Sequence, residues 1–227
     1  LIRSICQGFT IRFDSFKNKF GVGKRRQTLV VRMQRDALCH HCFAACRKKI
    51  KVDKQSERFF NYYKPWGNDN LVDSVIGAGF HPNDVTDVLL THLHFDHCGG
   101  CFTWNTHRTS FVPVFPNADY WSNESHWQWA TQPNPREKAS FLKDNLNPIQ
   151  ESGRLRFIEK GKDSPLGLNL LFVDGHTEKQ MLPMVDWKGE KLVFMGDLIP
   201  TVGHIPLPYV MGYDVRPLQT LVEKSAF

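Results

Sequence analysis

The sequence predicts a protein of the α/β class, and two observations carry this prediction. Helix-type and strand-type segments alternate along residues 57–227, which is the pattern of an α/β fold. Polar residues of metal-ligand type follow directly after predicted strands, where ligands gather in such folds. The composition agrees with a globular domain, because 41% hydrophobic and 23% charged residues in a chain of 227 suffice to bury a core without disulfide staples.

The first helix and the first strand of this pattern precede residue 92. The pair Asp69-Asn70 can cap a helix over residues 71–76, where the apolar side chains have amphipathic spacing and glycines follow. Residues 84–91 contain four aliphatic side chains in a short run. This run predicts a buried strand.

The later elements follow the same alternation. Residues 134–137 combine an N-cap asparagine, a proline at the first helical position and an acidic third position, so we expect a helix from there to about Ser152. Residues 168–173 predict an apolar strand. Residues 181–187 and 191–195 predict a hairpin that turns at Lys188-Gly189.

The charge of the chain is unevenly distributed. The net charge of +6 combines 14 basic and 3 acidic residues in positions 1–56 with 15 basic and 20 acidic residues in positions 57–227. Four of the six cysteines also lie in the first segment. We therefore divide the chain into a basic, cysteine-rich segment, residues 1–56, and a domain over residues 57–227. The abrupt change between them leads to the hypothesis that the first segment is a frame error or an unrelated fusion.

The basic segment leaves three local interpretations open. A short strand is conceivable at residues 28–31. A structural zinc site is conceivable at residues 39–46, which hold three cysteines and two histidines, although no second ligand pair follows about a dozen residues on. The positive charge could contact nucleic acid, but aromatic residues that would stack on bases are few, which makes nucleic acid a disfavoured partner.

Membrane and export signals are absent from the residues given. No run of 18 apolar residues occurs, so we expect no membrane-spanning helix. The first residues lack the apolar stretch and cleavage site of a signal peptide. We therefore expect a cytoplasmic protein with reduced thiols.

The motif His92-x-His94-x-Asp96-His97 is the strongest chemical signal. Three imidazoles and one carboxylate fall within six positions, directly after the predicted strand of residues 84–91. Alternate residues on an extended backbone can point the same way, which would place His92 and His94 together. Imidazole and carboxylate ligands suit Zn²⁺, and Mn, Fe or Co would also fit. Gly99 and Gly100 allow the close turn that follows.

Two further strand ends carry ligand-type residues. His176 follows the strand ending at Val173, and Asp197 follows the strand ending at Met195. An imidazole at position 176 can join one metal, and a carboxylate at position 197 can bridge two. Three such sets, each directly after a strand, predict a metal site at one edge of the sheet.

This pattern resembles the metallo-β-lactamase-fold hydrolases over about residues 57–227. The resemblance implies an αββα sandwich that holds two metals in a cleft. It implies that His92, His94 and His176 hold the first metal, that Asp96 and His97 hold the second, and that Asp197 bridges them. Zn²⁺, two per chain, would be the cofactor.

The resemblance also implies a reaction. A metal-bound hydroxide would cleave a lactone or related ester, with Asp96 and Asp197 as catalytic residues. The stretch from Gly203 to Tyr209 is similar to the branch that contains quorum-quenching lactonases and organophosphate hydrolases. β-Lactam or phosphotriester hydrolysis, or a catalytically incompetent truncated member of the family, remain alternatives. A basic-arm nucleic-acid-binding protein is a weaker alternative.

The remaining expectations concern the second metal, the substrate and the assembly. Complete members of the family supply a later histidine to the second metal, but no histidine follows His204 here, so we expect the fold and its second metal site to be incomplete. His204 could substitute as that ligand. His204, Tyr209 and Trp66 are candidates for binding a small-molecule ester or lactone, and a homodimer remains an open alternative.

Overall fold

The computed structural model describes residues 28–29, 62, 71–77, 80–187 and 189–227. Its strands are, in chain order, β1 (Thr28–Leu29), β2 (Asp87–Leu89), β3 (Phe102–Trp104), β4 (Phe111–Pro113), β5 (Asp119–Ser122), β6 (Leu155–Phe157), β7 (Asn169–Val173), β8 (Gln180–Trp187) and β9 (Glu190–Val193). Its helices are α1 (Leu71–Gly77), α2 (Phe95–Cys98), α3 (Glu124–Thr131), α4 (Lys143–Glu151) and α5 (Pro217–Lys224), with 3₁₀ turns at Pro82–Asp84 and Val202–His204.

Two sheets pack against each other in the centre of the fold. The first is parallel, with strand order β1-β2-β5-β6, and the second is antiparallel, with order β7-β8-β9. Side chains of the first sheet alternate between its two faces. Val88 and Tyr120 enter the core beneath the helices, whereas Leu89 and Trp121 pack with Met181 of the second sheet. Strands β3 and β4 form a separate antiparallel pair.

The helices form the outer layers of the fold. Helices α1, α3 and α4 cover the first sheet with buried apolar residues, namely Leu71, Val75, Trp127, Ala130, Leu146 and Ile149. On the opposite side, Leu182 of the second sheet packs with Phe227, which follows α5. The layers are therefore helix, sheet, sheet and helix. The predicted α/β class and the αββα sandwich are confirmed.

Several local predictions are confirmed. The helix expected at residues 71–76 is α1, the strand expected at 168–173 is β7, and the predicted hairpin is formed by β8 and β9. Of the strand considered at residues 28–31, Thr28 and Leu29 pair in parallel with Asp87 and Val88, and the rest lies outside the described residues. Within the described part of the chain, no helix combines the length and apolar character needed to cross a bilayer.

The strand expected over residues 84–91 is shorter than predicted. Its first residue, Asp84, ends the 3₁₀ turn Pro82–Asp84, which is closed by a reciprocal cap. Nδ1 of His81 accepts from the N–H of Asn83 (3.1 Å), and Oδ2 of Asp84 accepts from the N–H of His81 (2.8 Å). Because this local cap satisfies the backbone groups before Val85, the strand begins only at Asp87.

The prediction of a single helix over residues 134–152 is wrong. Asn134 caps only a short turn, and the helix proper begins at Lys143 after an extended Leu142 (φ −92°, ψ 124°). The carbonyl of Ser140 accepts from the N–H of Phe95 (2.8 Å), so this group is committed to the loop after β2 instead of to a helix. The segment before α4 therefore lies against the loop that follows β2.

A buried ammonium group fixes the loop that follows the second sheet. Lys224 of α5 is buried, and its Nζ donates hydrogen bonds to the carbonyls of Pro206 (3.0 Å), Leu207 (3.2 Å) and Tyr209 (2.7 Å). These three bonds use all donors of the ammonium. The loop backbone is thereby attached to α5, while its apolar side chains remain exposed.

We predict that Lys224→Met lowers the free energy of unfolding by about 2–4 kcal/mol, because three hydrogen bonds to a charged donor are lost. Urea denaturation of the two proteins measures the difference. The control is Lys191→Met, which removes an exposed ammonium paired with Asp186 at 2.8 Å and is expected to cost less than about 1 kcal/mol. Equal losses in the two variants would contradict the assigned role of Lys224.

Candidate metal centre

The loop after β2 carries the first set of ligand-type residues. His94 has extended backbone angles (φ −59°, ψ 148°) and precedes α2, which presents Asp96 and His97. At Gly99 a Cβ would lie 2.5 Å from the carbonyl oxygen of Phe95. The close turn predicted at this position therefore requires glycine.

The loop after β7 carries His176 and is fixed by α5. The carboxylate of Glu223 accepts hydrogen bonds from the N–H groups of Asp174 (2.7 Å) and Gly175 (3.0 Å). A Cβ at residue 175 would collide with Thr220, so glycine permits this close approach of loop and helix. The position of His176 therefore depends on the packing of α5.

Asp197 follows β9 and is fixed through its backbone. Gly196, the preceding residue, has a φ of +48°, in the left-handed region that favours glycine. With its amide oxygen turned toward these donors, buried Gln180 accepts from the N–H groups of Asp197 (3.2 Å) and Leu198 (3.3 Å). The turn thus directs the carboxylate toward the histidines.

Two clusters of ligand-type atoms form where the three loops meet. One consists of His92, His94 and His176, the other of His92, His97 and Asp197, and within each cluster these atoms lie within 4.8 Å of one another. Nε2 of His176 lies 3.1 Å from Nδ1 of His94 and 3.4 Å from Oδ2 of Asp197. Because the clusters share His92, they lie side by side.

Each ring of the first cluster contacts a partner through its outward-facing nitrogen. The contacts are His94 Nε2 with Glu137 Oε1 (3.2 Å), His176 Nδ1 with Asp214 Oδ1 (3.0 Å), and His92 Nδ1 with Thr91 Oγ1 (3.2 Å). Such outer contacts orient metal-ligating histidines in proteins. They leave Nδ1 of His94 and Nε2 of the other two rings facing one another.

The inward-facing nitrogens fit a metal. Nε2 of His92 is buried and has no hydrogen-bond partner among the residues that the structure describes, a costly state that ligation of a metal would relieve. Burial, followed by the neighbouring histidines, lowers the pKa of His92 well below its ordinary value. Burial also lowers the pKa of His94, against the opposing effect of Glu137. Both imidazoles are therefore neutral near pH 7, as ligation requires.

The second cluster contains a buried charge pair. Nε2 of His97 lies 3.4 Å from Oδ1 of Asp197 and 3.6 Å from Oδ2 of Asp96, which are ion-pair distances rather than well-formed hydrogen bonds. Burial alone would lower the pKa of His97, but the two carboxylates outweigh it and raise that pKa to about 9. Burial would raise the pKa of Asp197, but the neighbouring His97 outweighs burial and holds that pKa well below its usual range. A metal that binds here must displace the proton of His97.

His126 ties the two histidine-bearing loops together. It is fully buried on α3, where its Nε2 accepts from the N–H of Leu93 (2.8 Å) and its Nδ1 contacts the carbonyl of Glu178. A backbone N–H only donates and a carbonyl only accepts, so the ring is neutral and carries its proton on Nδ1. Burial lowers the pKa of His126 to about 3.

The structure brings together five of the residues that the sequence singles out, namely His92, His94, His97, His176 and Asp197. Asp96 is adjacent to them through His97 and is one-third exposed. His204 belongs to neither cluster among the described residues, and its Nδ1 contacts Oγ1 of Thr201 (2.6 Å). The side chain of Tyr209 is exposed, and Trp66 lies outside the described residues.

Sequence reasoning missed the residues that orient the cluster. The sequence marks Glu137 only as part of a predicted helix start, and His126 is not among the predicted site residues. Asp214 gave no signal, because an aspartate in a loop is ordinary. Residues 134–140 form a turn instead of the predicted continuous helix, and in this turn the side chain of Glu137 contacts His94.

Comparison with known proteins identifies a family for most of the chain. Residues 73–224 match the family model described as the metallo-beta-lactamase superfamily. A stretch of 59 residues is 37% identical to metallo-beta-lactamase domain-containing protein 1 of Xenopus laevis, and it covers 26% of this chain and 23% of that protein. The resemblance inferred from the histidine motif is confirmed.

Solved structures share the fold. A “probable metal-dependent hydrolase” from Staphylococcus aureus is similar with a TM-score of 0.66 and 27% identity, over 77% of this chain and 60% of that one. AidC, described as a dizinc quorum-quenching lactonase, is similar with a TM-score of 0.58 and 23% identity, over 69% of this chain and 57% of that one. The hydrolase AbOPH is similar with a TM-score of 0.55 and 25% identity, over 67% and 55%. The chain thus spans less than two thirds of each of these proteins.

We predict that acid destabilises the metal-free protein through His126. The folded protein excludes a proton from this ring down to about pH 3, whereas the unfolded chain binds one below about pH 6.5, so stability falls as the pH falls through this range. The contribution is about 1.4 kcal/mol per pH unit. Urea denaturation between about pH 6 and pH 4 should show a slope shallower by this amount in His126→Gln. The control is His107→Gln at an exposed position, and an identical slope in all three proteins would contradict the prediction.

Proposed function

The chain belongs to the metallo-β-lactamase superfamily, and from this premise we propose that it is a metal-dependent hydrolase of lactones or related esters. The observation that carries the proposal is the pair of adjacent buried clusters that share His92. The neutral imidazoles of His92 and His94, together with the rings of His176 and His97 and the carboxylate of Asp197, form a donor set suited to Zn²⁺, with Mn, Fe or Co as alternatives.

In this proposal each ligand has a defined role. His92, His94 and His176 would hold a first metal, and Asp96 and His97 would hold a second. Asp197 would lie between the two metals, a role supported by its distances of 3.4 Å to His176 on one side and to His97 on the other. Such a pair of metals would lower the pKa of a coordinated water to near neutrality and polarise the carbonyl of an ester.

The protein's own residues would supply orientation and proton transfer. Asp96 is one-third exposed and lies 3.6 Å from His97, so it can exchange protons with the attacking water and with the departing alcohol. The buried histidines exclude bulk water from one side of the site. Substrate therefore approaches from the side of Asp96.

Lactones are the substrate class that the comparisons favour. AidC is described as a quorum-quenching lactonase, and further similar structures carry N-acyl homoserine products. These likenesses are low in identity and concern the fold. The choice of lactones over other esters is thus part of the proposal and is tested by a panel of N-acyl lactones, simple aryl esters, phosphotriesters and β-lactams.

We predict that Asp197→Asn lowers the metal content from two per chain to one and lowers lactone turnover by about a hundredfold or more, because one metal contributes several kcal/mol to stabilising the transition state. Elemental analysis of purified protein and a ring-opening assay give the two readouts.

The matched control for this variant is Asp186→Asn, which makes the same change in the exposed β8–β9 hairpin, where Asp186 pairs with Lys191 at 2.8 Å. We expect unchanged metal content and turnover there. Turnover of Asp197→Asn within a few-fold of the parent would show that Asp197 does not bridge. A parent that binds two metals and turns over only another member of the panel would overturn the lactone assignment.

A further inference from the structure

Glu137 is a buried carboxylate that accepts hydrogen bonds from four side chains. Its Oε2 accepts from Trp129 Nε1 (2.7 Å) and Asn134 Nδ2 (2.6 Å), and its Oε1 accepts from Thr177 Oγ1 (2.6 Å) and lies 3.2 Å from His94 Nε2. Four donors around one carboxylate hold it in a single orientation. Glu137 thereby joins the loop of His94 to the loop of His176, whose next residue is Thr177.

The two oxygens of Glu137 face partners of different kinds. On the Oε2 side, the indole of Trp129 can only donate. The amide of Asn134 also can only donate there, because its own oxygen is committed to the N–H groups of Arg136 (2.9 Å) and Glu137 (3.2 Å). On the Oε1 side, the hydroxyl of Thr177 and the imidazole of His94 can each donate or accept.

An ionised carboxylate removes that freedom from His94. Oε1 can only accept, so Nε2 of His94 must carry the proton and Nδ1 must carry the lone pair. A proton on Nδ1 of His176, directed at Oδ1 of Asp214 across 3.0 Å, leaves a lone pair on its Nε2. Two lone pairs then face each other at 3.1 Å, an arrangement that a cation between them stabilises.

The opposite tautomer of His94 would be favoured without Glu137. A proton on Nδ1 would form a hydrogen bond to Nε2 of His176 across the same 3.1 Å, and this bond would close the first cluster to a metal. In the metal-free protein, this tautomer therefore competes with the metal-ready one, because it satisfies the facing nitrogens of His94 and His176 without a metal. A site that is to bind a metal needs a contact that disfavours the Nδ1–H tautomer of His94.

We propose that Glu137 is a positioning residue that selects Nδ1 of His94 as the metal-facing nitrogen by holding the proton on Nε2. The proposal rests on the metal site of the proposed function but not on its substrate. It assigns the short turn before α4, where Glu137 lies, to the assembly of the metal centre.

The test is Glu137→Gln. The glutamine oxygen must face the two obligate donors, Trp129 and Asn134, so its NH₂ group faces the side of Thr177 and His94. There the amide donates to Nε2 of His94 and moves the ring proton to Nδ1. We expect ¹⁵N NMR of the metal-free proteins to show Nε2–H for His94 in the parent and Nδ1–H in the variant.

Zinc affinity provides the second readout. Competition with a chromophoric chelator should show that Glu137→Gln weakens the tighter zinc site by about 10–100-fold, the range seen when outer partners of ligating histidines are lost. The matched control is Glu178→Gln, which makes the same change one residue beyond Thr177, in a carboxylate that contacts Arg216 and Lys179. We expect its zinc affinity to lie within about twofold of the parent.

Each result decides the proposal separately from the proposed function. Nδ1–H in the metal-free parent would overturn it without the use of any variant. A folded Glu137→Gln protein with the parent's tautomer and zinc affinity would also overturn it, as would an equal loss of affinity in Glu178→Gln. Failure to open lactones, with these readouts as expected, would overturn the substrate assignment and leave the role of Glu137 standing.

Discussion

Buried nitrogens that face one another without protons between them are the constraint on which the rest of this structure depends. Lone pairs on His92, His94 and His176 converge in a region from which water is largely excluded, and such an arrangement is unfavourable unless a cation occupies its centre. The protein maintains the arrangement from outside. Glu137 and Asp214 face the outward-directed nitrogens as hydrogen-bond acceptors, and His126 contacts the backbone of both loops.

The sandwich is what brings these partners within reach. The loops that bear His92 and His176 follow strands of different sheets, and the two sheets are joined at this point by a hydrogen bond from the N–H of Met181 to the carbonyl of Thr91 (2.8 Å). Helix α5 presses against the second loop at Gly175. A shift of α3 or α5 would therefore move the metal-ligand loops directly, through the contacts of His126 with Leu93 and of Thr220 with Gly175.

Features that depend on residues close together in the chain could be predicted from the sequence, whereas features that depend on residues far apart in the chain could not. The ligand residues are local signals, because each set follows directly after an apolar strand, and the helix at α1 and the β8–β9 hairpin are encoded by nearby residues. The orienting residues are not local. Glu137 meets His94 across 43 positions and Asp214 meets His176 across 38, so neither is marked by its neighbours in the chain. The helix expected over residues 134–152 failed for the same reason, since the partner that claims the Ser140 carbonyl lies in the metal loop.

The most direct test of the metal centre is anomalous X-ray diffraction, at the zinc absorption edge, from crystals of the protein grown with zinc. We expect one peak bounded by Nε2 of His92, Nδ1 of His94 and Nε2 of His176, at about 2.0–2.1 Å from each nitrogen. We expect a second peak beside His97, with Asp197 in contact with both. An absence of anomalous density between the three imidazoles, with their ring orientations unchanged, would contradict the account.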